Sequence, residues 1–335
     1  MTATVTVFDP LLGAEGASAM LRLAEAFGTY RTYSAETTEQ NYGDLPQRID
    51  AAANYVRSGG RFGRTGEPTS TLADRTNYFR ETYAYGEDVR APGIEPFLHH
   101  EGFVEAARAL HGRDVIVPAI VYANLLLPGQ ELAVHTDVPE FRGANRLHLP
   151  QWLMVVMHHS GRFEGWRMPI ATGVAYFGDA VEGAFAYYPD GVDSPAVALP
   201  VRHDAAVLLD TDSVFHGVDR VGAPDAQVPV LGPRPELRFV GDGRWTLQGA
   251  GPDPVTYPWD DLRFSVSWKA YCFADEAERR AWADHADDLS LEVILGRLED
   301  DLRGRGVLAG ERPEPKAFAT MLIREHIRFP QPVPG

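Results

Sequence analysis

The residues most able to do chemistry in this chain are His135 and Asp137, with Thr136 between them. On a strand, residues i and i+2 point the same way, so an imidazole and a carboxylate would face one point. Two donors hold a divalent metal weakly, so a third is expected elsewhere. His216 supplies it, in Val214-Phe215-His216-Gly217-Val218, after the apolar run Ala205 to Leu209 and the turn Asp210 to Asp212. Two histidines and one carboxylate on one face of an octahedral ion leave three positions for exchangeable ligands. With 11 histidines in the chain, His-x-Asp alone also arises by chance, so the surroundings must carry weight.

The second chemical feature is Arg263-Phe264-Ser265, which opens the run Arg263 to Phe273. Alternation puts Arg263, Ser265, Ser267, Lys269 and Tyr271 on one face, and Phe264, Val266, Trp268, Ala270 and Cys272 on the other. An arginine facing a β interior needs an anion, and a carboxylate bound bidentately is its natural partner. Ser265 can add a hydrogen bond. Lys269 on the same face is unexplained by its segment: it could reach an open end, pair with an acid, or point to solvent if the strand twists. Tyr122 and Asn124, on the strand before Pro128-Gly129, could face the same bound anion or pack as ordinary interior residues.

Elements must deliver these groups. Short β-branched and aromatic runs between Gly, Pro and Asp turns predict strands near 115–127, 131–136, 152–158, 172–178, 184–188, 205–210, 213–218 and 262–273. Such spacing argues for a closed or double-sheet β fold over a βαβ sheet. Helical periodicity marks 14–27, Glu95 to His111, Asp275 to Leu302 and Pro315 to Ile327. His99, His100 and His111 read as a solvated helix surface. Residues 35–90 read as a lid or irregular layer, and the aromatic 55–88 stretch as a roof over a pocket or as core packing. The Pro- and Gly-rich 222–260 segment reads as an insertion that could cover the mouth of the fold, with a hairpin Leu237–Val240 and Trp245–Leu247. The expectation is one domain over 1–335: a helical and loop layer to 113, a β core over 114–273 and C-terminal helices over 274–335.

The order of these motifs resembles the Fe(II)/2-oxoglutarate-dependent dioxygenase superfamily, whose fold is a double-stranded β-helix, or jelly-roll. The resemblance spans 114–273. It implies metal ligation and catalysis by His135, Asp137 and His216. It implies 2-oxoglutarate held at its far carboxylate by Arg263 and Ser265 of an Arg-x-Ser motif, with Tyr122 and Asn124 as further co-substrate contacts. It implies Fe(II), 2-oxoglutarate and O2 as cofactor and co-substrates, with release of succinate and CO2 and hydroxylation of a C–H bond as the default outcome, desaturation, ring closure and demethylation being the alternatives on the same iron. Arg263 stands 47 residues after His216, further than the family's habit, which the insertion would explain. Arg238 is the rival anchor within the insertion; Arg220 lies too near His216, and Arg234 is in the same insertion as Arg238. Asp137 argues against halogenases, which replace that carboxylate with a small residue. A cupin-type oxygenase or isomerase without 2-oxoglutarate, and a metal-free β-sandwich binding module, are the alternatives.

Composition narrows the partners. The chain has 335 residues, 44% hydrophobic, with 31 basic against 47 acidic side chains and a net charge of −16. That surface repels phosphate backbones, so a small molecule is expected as substrate, and not nucleic acid. The single cysteine, Cys272, excludes an intrachain disulfide and a cysteine-based zinc cluster, and is expected as a buried thiol. No apolar run approaches the ~20 residues that span a bilayer, and no signal-peptide pattern opens the chain, so a cytoplasmic location is expected. His158 and His159, after the apolar run Trp152 to Met157, are not expected to bind metal, and Arg142 and Arg146 read as surface residues or as a loop that could contact an acidic substrate.

Overall fold

A computed structural model describes residues 2–33, 45, 47–64, 66–232, 234–249 and 254–332. Parts of the expected 35–90 layer and of the 222–260 insertion lie outside them.

Eight strands form the core: β1 (Val115–Leu126), β2 (Leu132–His135), β3 (Ile170–Phe177), β4 (Phe185–Tyr187), β5 (Val197–Leu199), β6 (Ala205–Leu209), β7 (His216–Val218) and β8 (Arg263–Phe273). One sheet contains β6-β3-β8-β1 in that order, and the other contains β5-β4-β7-β2. The pairings are antiparallel. The chain passes back and forth between two facing sheets, and this order is a double-stranded β-helix, a jelly-roll. The larger sheet runs on past β1 through Phe79–Tyr85 and Thr29–Thr32 to the hairpin Glu236–Gly241/Arg244–Gln248 and then Val255–Pro258. The hairpin of the 222–260 insertion therefore exists, but it extends the sheet edge and does not cover the mouth.

β8 is buried at all eleven positions and keeps the alternation read from its sequence. Phe264, Val266, Trp268, Ala270 and Cys272 join the core formed with helices Gly13–Phe27 and Glu101–His111. The Trp268 Nε1–H donates to Leu98 O at 2.7 Å, so its polar atom is satisfied inside that core. Cys272 is a buried free thiol.

Several expectations are corrected. Residues 152–158 are not a strand: Gln151–Ser160 is a helix, entered from Pro150 and ended by Gly161. Trp152 to Met157 are all buried, and an unbroken apolar run has no period to separate helix from strand. That helix packs with Leu291–Gly304 and Pro315–His326 in a second core. Glu95 to His111 divides into Glu95–Leu98 and Glu101–His111, because His100 caps the second helix by accepting from Phe103 N–H. Asp275 to Leu302 divides into Glu276–Ala283 and Leu291–Gly304, each with its own Asp or Ser cap. The 35–90 layer contains regular helices, Ile49–Ser58 and Thr69–Thr76, as well as the strand Phe79–Tyr85. Among the described residues, no helix is long and apolar enough to cross a membrane.

Candidate metal and co-substrate site

His135 ends β2 and His216 begins β7, and the two are direct cross-strand partners. Their ring centroids are 4.5 Å apart. Gly217 lets these strands approach: a Cβ there would meet Leu132 O at 2.8 Å. Asp137 lies just past β2, so strand alternation does not aim it; its N–H donates to Thr211 O at 2.8 Å, tying it to the turn between β6 and β7.

Both imidazoles are oriented by backbone. His135 Nδ1 lies 2.7 Å from Ala133 O, and His216 Nδ1 lies 2.9 Å from Val214 O. A carbonyl only accepts, so each Nδ1 carries the proton and each Nε2 presents a lone pair. The two Nε2 atoms lie 3.5 and 3.7 Å from Asp137 Oδ1. Among the described residues this is the one group of three or more His, Cys, Asp or Glu placed to hold a metal, with its ligand atoms within 4.8 Å of one another. Burial, and then the neighbouring His135, push His216 down to about 3, so it stands neutral. Burial would raise Asp137, but the Lys269 ammonium outweighs it and holds the carboxyl well below its ordinary range. With each Nδ1 engaged by backbone and Asp137 ionised, the set offers two imidazole Nε2 atoms and one carboxylate, the donors a divalent ion takes.

Lys269, without a role in its own segment, finds one across the sheet. Its Nζ donates to Asp137 Oδ2 at 2.7 Å and to Thr172 Oγ1 at 2.9 Å. The lysine is buried, and its pKa is raised: burial opposes the charge, and Asp137 overcomes that.

At the other end of β8, Arg263 is 2% exposed. Its Nε–H donates to Gly183 O at 2.7 Å and its Nη1 to Ser265 Oγ at 3.2 Å. Its guanidinium carbon lies 5.2 Å from the centre of the Tyr176 ring. Its Nη2 and the Tyr176 hydroxyl are both buried with no hydrogen-bond partner among the described residues. Register puts Tyr176, Ser265 and Asn124 in one cross-strand row. Asn124 Oδ1 is a further buried atom without a partner among the described residues. A buried cation with unused donors is a fixed socket for an anion. Arg238, the rival, sits on the outer hairpin and pairs with Glu236; it is not at this site.

A cavity of about 670 Å³ joins the two ends. Its lining includes His135, Asp137, His216, Arg263, Ser265 and Lys269, together with Tyr122 and Asn124. Helices Ile49–Ser58 and Thr69–Thr76 close it on one side. Of the 55–88 aromatics, Tyr55 and Tyr78 line the cavity, whereas Phe79 and Tyr83 belong to the main core. Arg146 is corrected from surface to cavity wall, where it pairs with Glu140; Arg142 instead pairs with Asp287. Arg80 packs its guanidinium 3.7 Å from the Tyr122 ring centre, and Arg48 donates to Thr136 O at 2.9 Å. His159 approaches Thr136 Oγ1 at 3.3 Å, on the far side of the His135–Asp137 backbone. Sequence reasoning missed Tyr176, though alternation in a strand expected at 172–178 would have aimed it inward. It had no signal for Arg48 or Arg80.

No protein-family model matches the chain, and no curated protein matches it. Solved structures show distant likeness. A prolyl-4-hydroxylase from Pseudomonas putida shares 11% identity over 81% of this chain and 94% of that one, at a TM-score of 0.38. The non-heme alpha ketoglutarate dependent carbocyclase SnoK from nogalamycin biosynthesis shares 10% over 82% and 84%, at 0.41. HygX from Streptomyces hygroscopicus, with nickel and 2-oxoglutarate bound, shares 9% over 81% and 84%, at 0.40. Likeness at this level adds nothing to the strand order and side-chain geometry, which by themselves establish a double-stranded β-helix with a two-histidine, one-carboxylate cluster in its interior.

Proposed function

We propose that the chain is an Fe(II)- and 2-oxoglutarate-dependent oxygenase that hydroxylates a small molecule. The observation that carries this reading is the pairing, inside one barrel, of the convergent His135–Asp137–His216 donors with a buried arginine whose Nη2 has no partner among the described residues. A metal site alone would fit a cupin-type enzyme. The additional Arg263 socket calls for a second carboxylate-bearing ligand.

His135, Asp137 and His216 would hold the iron. Arg263, Ser265 and Tyr176 would receive the far carboxylate of 2-oxoglutarate, with Asn124 beside them. Iron and 2-oxoglutarate, when bound, supply the oxidant for C–H hydroxylation by O2, releasing succinate and CO2. The residues here do the rest. The backbone carbonyls of Ala133 and Val214 keep both imidazoles protonated at Nδ1 and ready at Nε2. The helices Ile49–Ser58 and Thr69–Thr76 wall one side of the cavity and leave room for a substrate. The volume falls in the usual range for small-ligand sites, roughly 300–1,000 Å³. Tyr122, Arg80 and Arg146 form a wall suited to a substrate with a flat or anionic part. Asp137 fills the position that a halogenase leaves vacant, which speaks against halogenation.

The test is an anaerobic titration of apoprotein with Fe(II), then with 2-oxoglutarate, read by the visible charge-transfer band of the chelate. A saturable band, lost in His216→Ala, is expected. Metal binding without the band would move the protein to the cupin-type class. No metal binding by folded protein would end the oxygenase reading.

A further inference from the structure

Lys269 is one of only two lysines in the chain and is 2% exposed. Burying an ammonium is costly unless it is paired and its donors are used. Here the donors are used on one target. Lys269 Nζ lies 2.7 Å from Asp137 Oδ2, 2.9 Å from Thr172 Oγ1 and 3.5 Å from Thr211 Oγ1. Thr211 Oγ1 lies 2.6 Å from the same Asp137 Oδ2 and 2.7 Å from Thr172 Oγ1. Lys269 donates to Asp137 and Thr172, and the single proton of Thr211, within reach of both Thr172 and Asp137, goes to the nearer acceptor, Asp137 Oδ2. Asp137 Oδ2 thus accepts two hydrogen bonds, which take both of its in-plane lone pairs. Oδ1 accepts neither and faces the two histidine Nε2 atoms.

We propose that Lys269, through the Lys269–Thr172–Thr211 clamp on Oδ2, is a positioning residue that makes Asp137 a one-oxygen metal ligand. This rests on reading His135, Asp137 and His216 as the metal site. An unclamped carboxylate can turn to offer both oxygens, which would occupy one of the positions that co-substrate and O2 require. It can also rotate away and weaken the site. The clamp removes both freedoms. It is built from three elements remote in sequence, with Lys269 on β8, Thr172 on β3 and Thr211 in the β6–β7 turn.

The test uses metal alone as the probe, on full-length apoprotein. Mn(II) affinity is measured by the free-ion EPR signal, and the Co(II) form by its visible absorption, whose intensity reports coordination number. Lys269→Met is expected to raise the Mn(II) Kd at least tenfold and to change the Co(II) spectrum. Thr211→Val should do the same more weakly, and Thr211→Ser should restore wild-type values. In Asp137→Gly, added formate should restore Mn(II) binding, because the clamp still cradles a carboxylate oxygen; in Asp137→Gly/Lys269→Met it should not. Mn(II) affinity within twofold of wild type and an unchanged Co(II) spectrum in Lys269→Met would overturn the proposal while leaving the metal site intact. If Lys269→Met does not fold, unchanged affinity in Thr211→Val together with no formate rescue in Asp137→Gly would overturn it. Failure of the wild type itself to bind Mn(II) would instead overturn the metal reading on which it rests.

Discussion

Arg263→Met tests the co-substrate socket most directly. In the protein without ligand, the guanidinium has one strong bond, to Gly183 O, a longer one to Ser265, and a buried Nη2 with no acceptor among the described residues. Burial is the largest influence on it and lowers its pKa, so the charge is held at a cost. Methionine has a similar reach and removes that cost, but forfeits about 1 kcal/mol for the Gly183 bond. The two effects oppose each other, so the apoprotein's thermal midpoint should move by only a few degrees. The ligated state differs. A carboxylate in the socket would accept two charge-assisted bonds, each worth about 1.5–3 kcal/mol in a site shielded from solvent. Their loss amounts to about 3–6 kcal/mol. At about 1.4 kcal/mol per tenfold, the Kd for 2-oxoglutarate should rise by roughly two to four orders of magnitude. The assay is the anaerobic chelate titration on Fe(II)-loaded protein, with Mn(II) affinity as the control for an intact metal site. A thermal-shift series adds a second readout. Ligand at about a hundred times Kd stabilises by about 2.7 kcal/mol, and this gain should vanish in the variant at the same concentration. A Kd within about threefold of wild type, with metal binding intact, would refute the assignment of Arg263.

Three other outcomes are expected. Gly183 has φ +75° and a Cβ there would lie 2.8 Å from Arg263 Cδ, so Gly183→Ala should displace the anchor and raise the 2-oxoglutarate Kd about tenfold, leaving Mn(II) affinity unchanged in the same titrations. Trp268→Ala empties the most enclosed part of the β8 core and leaves Leu98 O without its donor, costing about 3–5 kcal/mol by urea denaturation. Asp212 is fully buried, neither carboxylate oxygen has a partner among the described residues, and burial pushes its pKa from 3.8 up to about 7, with Lys269, Asp210, Asp137 and His158 as its charged neighbours. The folded carboxyl stays protonated while the unfolded one ionises, so stability contributed by this group is lost as pH rises from about 4 to about 7. Asp212→Asn should therefore raise the apoprotein's thermal midpoint at about pH 8, and the gain should shrink to nothing near pH ~4; a pH-independent difference would contradict the assignment.

The strands' two-residue repeat is a local property, so the chain alone displays it. Alternation along Arg263 to Phe273 assigned each side chain of β8 to its face, and the fold keeps that assignment because one face meets helices and the other meets the cavity. Residue type and order named His135, Asp137 and His216 as a set, since few other side chains bind a divalent ion in that number. Local pattern failed where it carries no period. Trp152 to Met157 is apolar throughout, and only packing against the C-terminal helices made it a helix. It also failed for contacts made between strands. Lys269 has no role legible in its own segment because its partner, Asp137, is 132 residues away and reaches it across the barrel. Thr211, Tyr176, Arg48 and Arg80 gain their roles the same way. A chain's own periodicity decides which way a side chain faces; only the closure of two sheets into a barrel decides what it faces.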